Sequence, residues 1–130
     1  MICLDTSFLI DILKNDLKAV RKLREYTGRP LCSTAINYFE LVLGANMKGY
    51  AKEAEQAKSM FSQLSDVLLL DTESAEAGAK ILARLAKKGE TIGQNDCLIA
   101  GIMAHNRVKH IITRNKKDFS KIQGISVIDY

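Results

Sequence analysis

The chain has 130 residues, of which 47% are hydrophobic, and carries a formal net charge of +4; that length suits one domain able to bury a sizeable core, roughly two-thirds of the unfolded surface. A single Pro, with no Ser/Gly-rich linker, low-complexity tract or repeat, argues against a second domain, so residues 1–130 are read as one unit. No apolar run approaches the ~20 residues of a membrane span, and Met1-Ile2-Cys3-Leu4-Asp5 meets an acid without a positive leader, so the expectation is a cytoplasmic protein without a signal peptide.

Ile2 to Leu4 is a short apolar run that reads as a strand ending in Asp5, and Thr6 or Ser7 is expected to cap the helix that follows through Leu13. Leu17, Val20 and Leu23 recur among Lys and Arg as a helical stripe that stops near Gly28 and Pro30. Leu31-Cys32-Ser33 reads as the second strand. Thr34 then caps a helix to about Met47, in which Ile36, Glu40, Leu43 and Met47 share a face, so that Glu40 lies on an apolar stripe. Ala51 to Leu64 is an Ala/Lys/Glu-rich helix, Val67 to Leu70 a continuous apolar strand ending in Asp71, and Ser74 to Lys88 a further helix broken by Gly89. Asn95 or Asp96 opens a helix that is apolar nearly all round from Cys97 to Ala104, the mark of a buried element. Ile111 and Ile112 form a strand leading into Thr113-Arg114-Asn115, Asp118 lies in a polar turn or short helix, and Ser126 to Ile128 make the last strand. Strands alternating with helices predict an α/β fold with three layers, α/β/α, around a central, mostly parallel sheet. Ligands of such sheets sit beyond the carboxyl ends of the strands, where Asp5 and Thr113 fall.

Cys3, Cys32 and Cys97 are odd in number, widely spaced and set in apolar segments, so they read as buried thiols, and His105 and His110 lack a zinc-pair spacing. No Ser/His/Asp triad or P-loop is visible. Four acids stand out by their placement against apolar segments: Asp5, Glu40, Asp96 and Asp118. Each has a plainer reading. Asp5 can be a cap or turn residue, Glu40 can pair with a buried Arg or Lys, Asp96 can serve the free N–H groups of a helix start, and Asp118 can begin a short helix. As a set they suit a shared hard cation, Mg²⁺ or Mn²⁺, because neighbouring carboxylates cannot all stay ionised without one. A pair of such ions can activate water and stabilise the attacking and leaving oxygens of an in-line phosphodiester displacement. Outside these acids, 19 basic residues face 11 acidic ones, leaving +8, with six Lys/Arg in each of the stretches Lys14 to Arg29 and Arg107 to Lys121. Such stretches are either solvated faces or contacts for a polyanion.

Asp5-Thr6-Ser7 near the N-terminus, Glu40-Leu41 with Gly44, Asn95-Asp96-Cys97-Leu98-Ile99-Ala100 and Thr113-Arg114-Asn115-Lys116-Lys117-Asp118-Phe119 together resemble a PIN-domain ribonuclease of the VapC toxin type, in order and over nearly the whole chain. The resemblance implies a Mg²⁺- or Mn²⁺-dependent endoribonuclease. Its metal ligands fall on Asp5, Glu40, Asp96 and Asp118, with Asp5 and Asp96 central. It implies supporting bonds from Thr6 or Ser7 and Thr113, an Asn115 hydrogen bond to a carboxylate, and an Arg114 contact with phosphate. It also implies an RNA substrate, a homodimer and a cognate antitoxin. Two alternatives stand beside it. One is a PIN-like module that binds RNA or protein without cutting, and the other a receiver-like signalling domain with Asp71 as its acceptor.

Overall fold

Short apolar runs between polar turns become five strands in the computed structural model, which describes residues 1–130: β1 (Ile2–Leu4), β2 (Leu31–Thr34), β3 (Asp66–Leu68), β4 (His110–Ile112) and β5 (Ser126–Ile128). The helices are α1 (Thr6–Leu13), α2 (Leu17–Glu25), α3 (Ala35–Lys48), α4 (Ala51–Ser62), α5 (Thr72–Lys87), α6 (Gln94–His105) and α7 (Lys116–Phe119). Every strand pair is parallel, in the order β3-β2-β1-β4-β5. The chain moves outward from β1 through β2 to β3, then returns to lay β4 on the other side of β1. The reversal opens a crevice at the carboxyl ends of β1 and β4, the place where such sheets bind ligands. The order differs from the 2-1-3-4-5 arrangement of receiver-like sheets, and Asp71 follows an edge strand, so the receiver-like alternative falls.

Successive side chains of a strand face opposite ways, and the core divides accordingly. Ile2 and Leu4 of β1 and Ile112 of β4 pack with Phe8, Leu9, Ala19, Leu41 and Phe61 from α1 to α4. Cys3, Cys32, Leu68 and Ile111 point to the other face, against Leu85 of α5, Ile99, Ile102 and Met103 of α6, and Phe119 of α7. The predicted three-layer α/β/α arrangement is the one observed, with a sheet that is wholly parallel. The three cysteines are buried and unbridged. No helix is long and apolar enough to cross a membrane.

Helix α6 lies against α5 almost backbone to backbone. A Cβ placed on Gly101 would stand 2.5 Å from the Gly78 nitrogen and 2.7 Å from its Cα, and one on Gly78 would stand 2.9 Å from the Cys97 carbonyl oxygen. Hydrogen at both positions lets α6 sink to the core, where Ile99 to Met103 are buried.

Several local expectations change. Asp5, and not Thr6 or Ser7, occupies the N-cap of α1, yet its side chain makes no capping bond; both hydroxyl residues lie inside the first turn. Gly93 caps α6, so neither Asn95 nor Asp96 does, and Asp96 is the third helical residue. Thr34 caps α3 as predicted, in a reciprocal box with Asn37. The third strand stops at Leu68, leaving Leu69 and Leu70 exposed, and Asp71 caps α5. In α2 the buried position is Ala19, while Leu17 faces solvent. The stripe through Glu40, Leu43 and Met47 is not a core face, since Met47 is 80% exposed; Asn37, Leu41 and Ala45 are the buried side of α3. Periodicity marks a common face but not what covers it.

Candidate active site

The site grows from the register of two neighbouring strands. Leu4 pairs with Ile112, and the Asp5 N–H donates to the Ile112 carbonyl at 3.1 Å, so Asp5 and Thr113 leave the sheet side by side. Asp5 is buried, at 5% exposure, and both its oxygens are committed. Oδ2 accepts from Thr113 Oγ1 at 2.6 Å and Ser7 Oγ at 3.0 Å, while Oδ1 accepts from Asn37 Nδ2 at 3.1 Å. A charged acceptor with three donors is among the stronger hydrogen-bonded groups in a protein.

Asn37 joins two parts of the site. Its carbonyl oxygen accepts from Thr34 Oγ1 at 2.6 Å, and its amide also donates to Thr6 Oγ1 at 3.0 Å. Thr6 Oγ1 in turn donates to Glu40 Oε1 at 2.8 Å. On the opposite side, Asn115 Nδ2 donates to Asp96 Oδ2 at 3.0 Å and Asp118 Oδ2 at 3.2 Å. The Asn115 N–H is held by Thr113 Oγ1 at 2.9 Å, and the Arg114 N–H by Ser7 Oγ at 3.0 Å.

Electrostatics record the crowding. Burial, then the charges of Asp5, Glu40 and Asp118, push the Asp96 carboxyl up to about 6, against the opposing Asn115 bond. Burial likewise raises Glu40; the Thr6 and Asn95 bonds work against the rise and the charge of Asp5 adds to it. Lys121 Nζ stands 3.6 Å from Asp118 Oδ1, but Asp5, Glu40 and Asp96 have no ion pair. An all-oxygen set with this much uncompensated charge fits a hard divalent cation and not a soft one. A cavity of about 110 Å³ adjoins Glu40, bounded by Lys14 and Gly44 and by Lys48 at the end of α3.

The structure thus brings Asp5, Glu40, Asp96 and Asp118 to one crevice and puts Thr6, Ser7, Thr113 and Asn115 on the bonds that orient them. Arg114 contributes its backbone N–H there, while its side chain turns to Asp11. Asn37 is the residue that sequence reasoning missed; its spacing three after the Thr34 cap was the available signal. No three of the crevice acids bring ligand atoms within 4.8 Å of one another; a separate group, Asp71, Glu73 and His105, does, but all three are exposed. Asp71 there is engaged in capping α5, and its bonds with Ser74 hold its carboxyl below the usual range.

The profile of the PIN domain family matches residues 2–125. A Salmonella typhimurium protein named tRNA(fMet)-specific endonuclease VapC is 34% identical over 129 residues, covering 98% of this chain and 96% of its own. A Haemophilus influenzae protein named Ribonuclease VapC2 is 30% identical over 124 residues, covering 92% and 89%. Among solved structures, a chain of the DNA-bound VapBC crystal structure from Salmonella typhimurium superposes with a TM-score of 0.86 at 30% identity, covering 98% of this chain and 96% of that one. The ordered sequence motifs, the parallel sheet with its acidic crevice and these matches lead to one placement: the chain belongs to the PIN domain family, among proteins of the VapC type.

Proposed function

We propose that residues 1–130 act as a single endoribonuclease domain that hydrolyses RNA phosphodiester bonds with Mg²⁺, or Mn²⁺ in its place, held by Asp5, Glu40, Asp96 and Asp118. The observation that carries the proposal is the convergence of these four carboxylates on one crevice, with Asp96 pushed up to about 6 by burial and by the other three. Cations there relieve the repulsion and let a polyanion approach an otherwise anionic site. The names of the VapC relatives, endonuclease and ribonuclease, support the reaction class.

Within the site the chain's own groups supply alignment. Thr113, Ser7 and Asn37 donate to Asp5 and fix its plane, so presenting it to an ion would cost little further side-chain freedom. Thr6 sets Glu40 in the same way, and Asn115 ties Asp96 to Asp118. A bound divalent ion supplies activation of water and charge stabilisation at the entering and leaving oxygens. The carboxylates would hold that chemistry at a fixed depth in the crevice.

The proposal extends to the cell. The chain works in the cytoplasm as the toxin of a toxin-antitoxin pair, as a homodimer restrained by a cognate antitoxin. The Salmonella neighbour was crystallised as VapBC, which supports a protein partner. So does exposed apolar surface, with Phe39, Leu43 and Met47 on one stripe of α3 and Leu69 and Leu70 just past β3.

The test is cleavage of a labelled mixed-sequence RNA by wild type and Asp96→Asn, each with Mg²⁺, Mn²⁺ or EDTA. Metal-dependent cutting that the substitution abolishes is the expected result. A folded wild type, freed of co-purified partner, that binds the RNA without cutting would favour the binding-module alternative.

A further inference from the structure

One cluster at the rim of the crevice is not accounted for by metal binding. Arg114 Nε forms an ion pair with Asp11 Oδ2 at 3.0 Å, and the Tyr130 hydroxyl donates to the same oxygen at 2.6 Å. The Tyr130 ring is itself seated, edge-on against Phe8 with centroids 4.9 Å apart. Asp11 is largely buried, at 13% side-chain exposure, whereas the Arg114 side chain is 57% exposed. Burial, then the hydrogen bond and charge of Asp11, raise the Tyr130 hydroxyl well above its usual range, while Arg114 works against the rise, so Tyr130 stays a donor.

The buried side of this cluster is fixed and its outer side is open. An arginine paired with a carboxylate on its Nε side is held near that acid, and its two Nη groups remain available for parallel bonds to a phosphate. The position is informative. The Arg114 N–H is bonded to Ser7, which donates to Asp5, and Asp11 lies four residues beyond Ser7 on α1. Four residues of α1 rise about 6 Å along its axis, so the acid that holds Arg114 lies about one turn along the helix from Ser7, to one side of the carboxylate crevice.

We propose that Asp11 and Tyr130 are positioning residues that hold Arg114 as the contact for an RNA phosphate next to the scissile one. The inference rests on the ribonuclease function proposed above and adds to it a built anchor for the neighbouring nucleotide. Phe8 seats Tyr130, Tyr130 and Arg114 share Asp11, and Ser7 couples the Arg114 backbone to the metal-site acid Asp5. Register of the strand in the crevice is thereby linked to the site where it is cut.

The experiment is a double-mutant cycle on one labelled RNA, with kcat and KM measured at several salt concentrations for wild type, Tyr130→Phe, Arg114→Ala, the double variant and Arg114→Lys. Tyr130→Phe keeps the ring on Phe8 and removes only the hydroxyl, so it is expected to raise KM about three- to tenfold, with a smaller effect on kcat. In the Arg114→Ala background the same change is expected to do almost nothing, because the group it positions is gone. Arg114→Ala should reduce the slope of log kcat/KM against log salt by about 0.7, the value for one lost phosphate contact on a single strand. Arg114→Lys should not restore KM, since an ammonium cannot be gripped at one nitrogen and present two others. Melting temperatures check folding, and Asp11→Asn replaces Tyr130→Phe in the cycle if the latter does not fold. Additive losses, or an unchanged salt slope in Arg114→Ala, would overturn the clamp while leaving the nuclease intact. A wild type without metal-dependent cutting would bring down the ribonuclease proposal and the clamp with it.

Discussion

Replacing Asp96 by Asn separates charge crowding from catalysis, because it should make the metal-free protein more stable while removing its response to metal. The Asp96 carboxyl is raised from 3.8 to about 6 in the fold. An acid whose folded pKa is raised binds more protons folded than unfolded between those values, so stability falls as pH climbs from about 4 to about 6 and stays reduced above that range. The shift corresponds to about 3 kcal/mol at 1.36 kcal/mol per unit. Asp96 is only half-buried, so solvent screening reduces the figure to about 1–2 kcal/mol. Asn keeps an oxygen to accept from Asn115 Nδ2 and carries no charge, so it recovers that amount at pH 7.5. For a chain of this length the gain is about 3–8 °C in Tm. The chain contains no Trp, so calorimetry or circular dichroism is the suitable readout. In EDTA at pH 7.5 the variant should melt higher than wild type, and at pH 4.5 the difference should shrink towards zero as wild-type Asp96 takes up its proton. Added Mg²⁺ should raise the Tm of wild type and leave the variant nearly unmoved. A variant that melts lower than wild type in EDTA at pH 7.5, or a difference independent of pH, would refute the account of Asp96 as a strained member of a carboxylate cluster.

Three further outcomes are expected. Thr113→Val deletes the 2.6 Å donor to Asp5 and the acceptor for the Asn115 N–H, and metal-dependent cleavage should fall about 10- to 100-fold, read as initial rates at saturating Mg²⁺. Asn37→Ala strips Asp5, Thr6 and Thr34 of a buried partner, which should lower stability by about 2–4 kcal/mol in urea unfolding as well as abolish cutting. Gly101→Ala puts a methyl into the Ser74 carbonyl and the Gly78 backbone; prying α5 from α6 should cost about 2–3 kcal/mol, and a melting temperature equal to wild type would show that the two helices can part cheaply.

Much of the architecture was legible because strand and helix periods differ so clearly here. The last strand, Ser126–Ile128, and the all-apolar helix after Gly93 are read directly from composition, and the buried run from Ile99 to Met103 matches. Helix starts were less legible. Thr6 and Ser7 have the side chains of caps, but Ser7 bonds the nearby Asp5 and Thr6 bonds Glu40, 34 residues on, a tertiary demand that is invisible locally. The stripe through Leu43 and Met47 misled for a different reason, since an apolar face that meets no element of its own chain looks the same in sequence as one that does. Asn37 escaped notice because its amide, besides closing the capping box with Thr34, donates to partners 31 and 32 residues away, which no local pattern shows.

The hydrogen-bonded path from Thr34 through Asn37 and Thr6 to Glu40 makes the first turn of α3 and the carboxylate crevice a single cooperative unit. Thr34 and Asn37 cap that helix with the same groups that steady the acids, so fraying of the turn and slackening of the crevice are one opening event. Amide exchange at Asn37, whose N–H bonds Thr34, therefore reports how often the site comes apart.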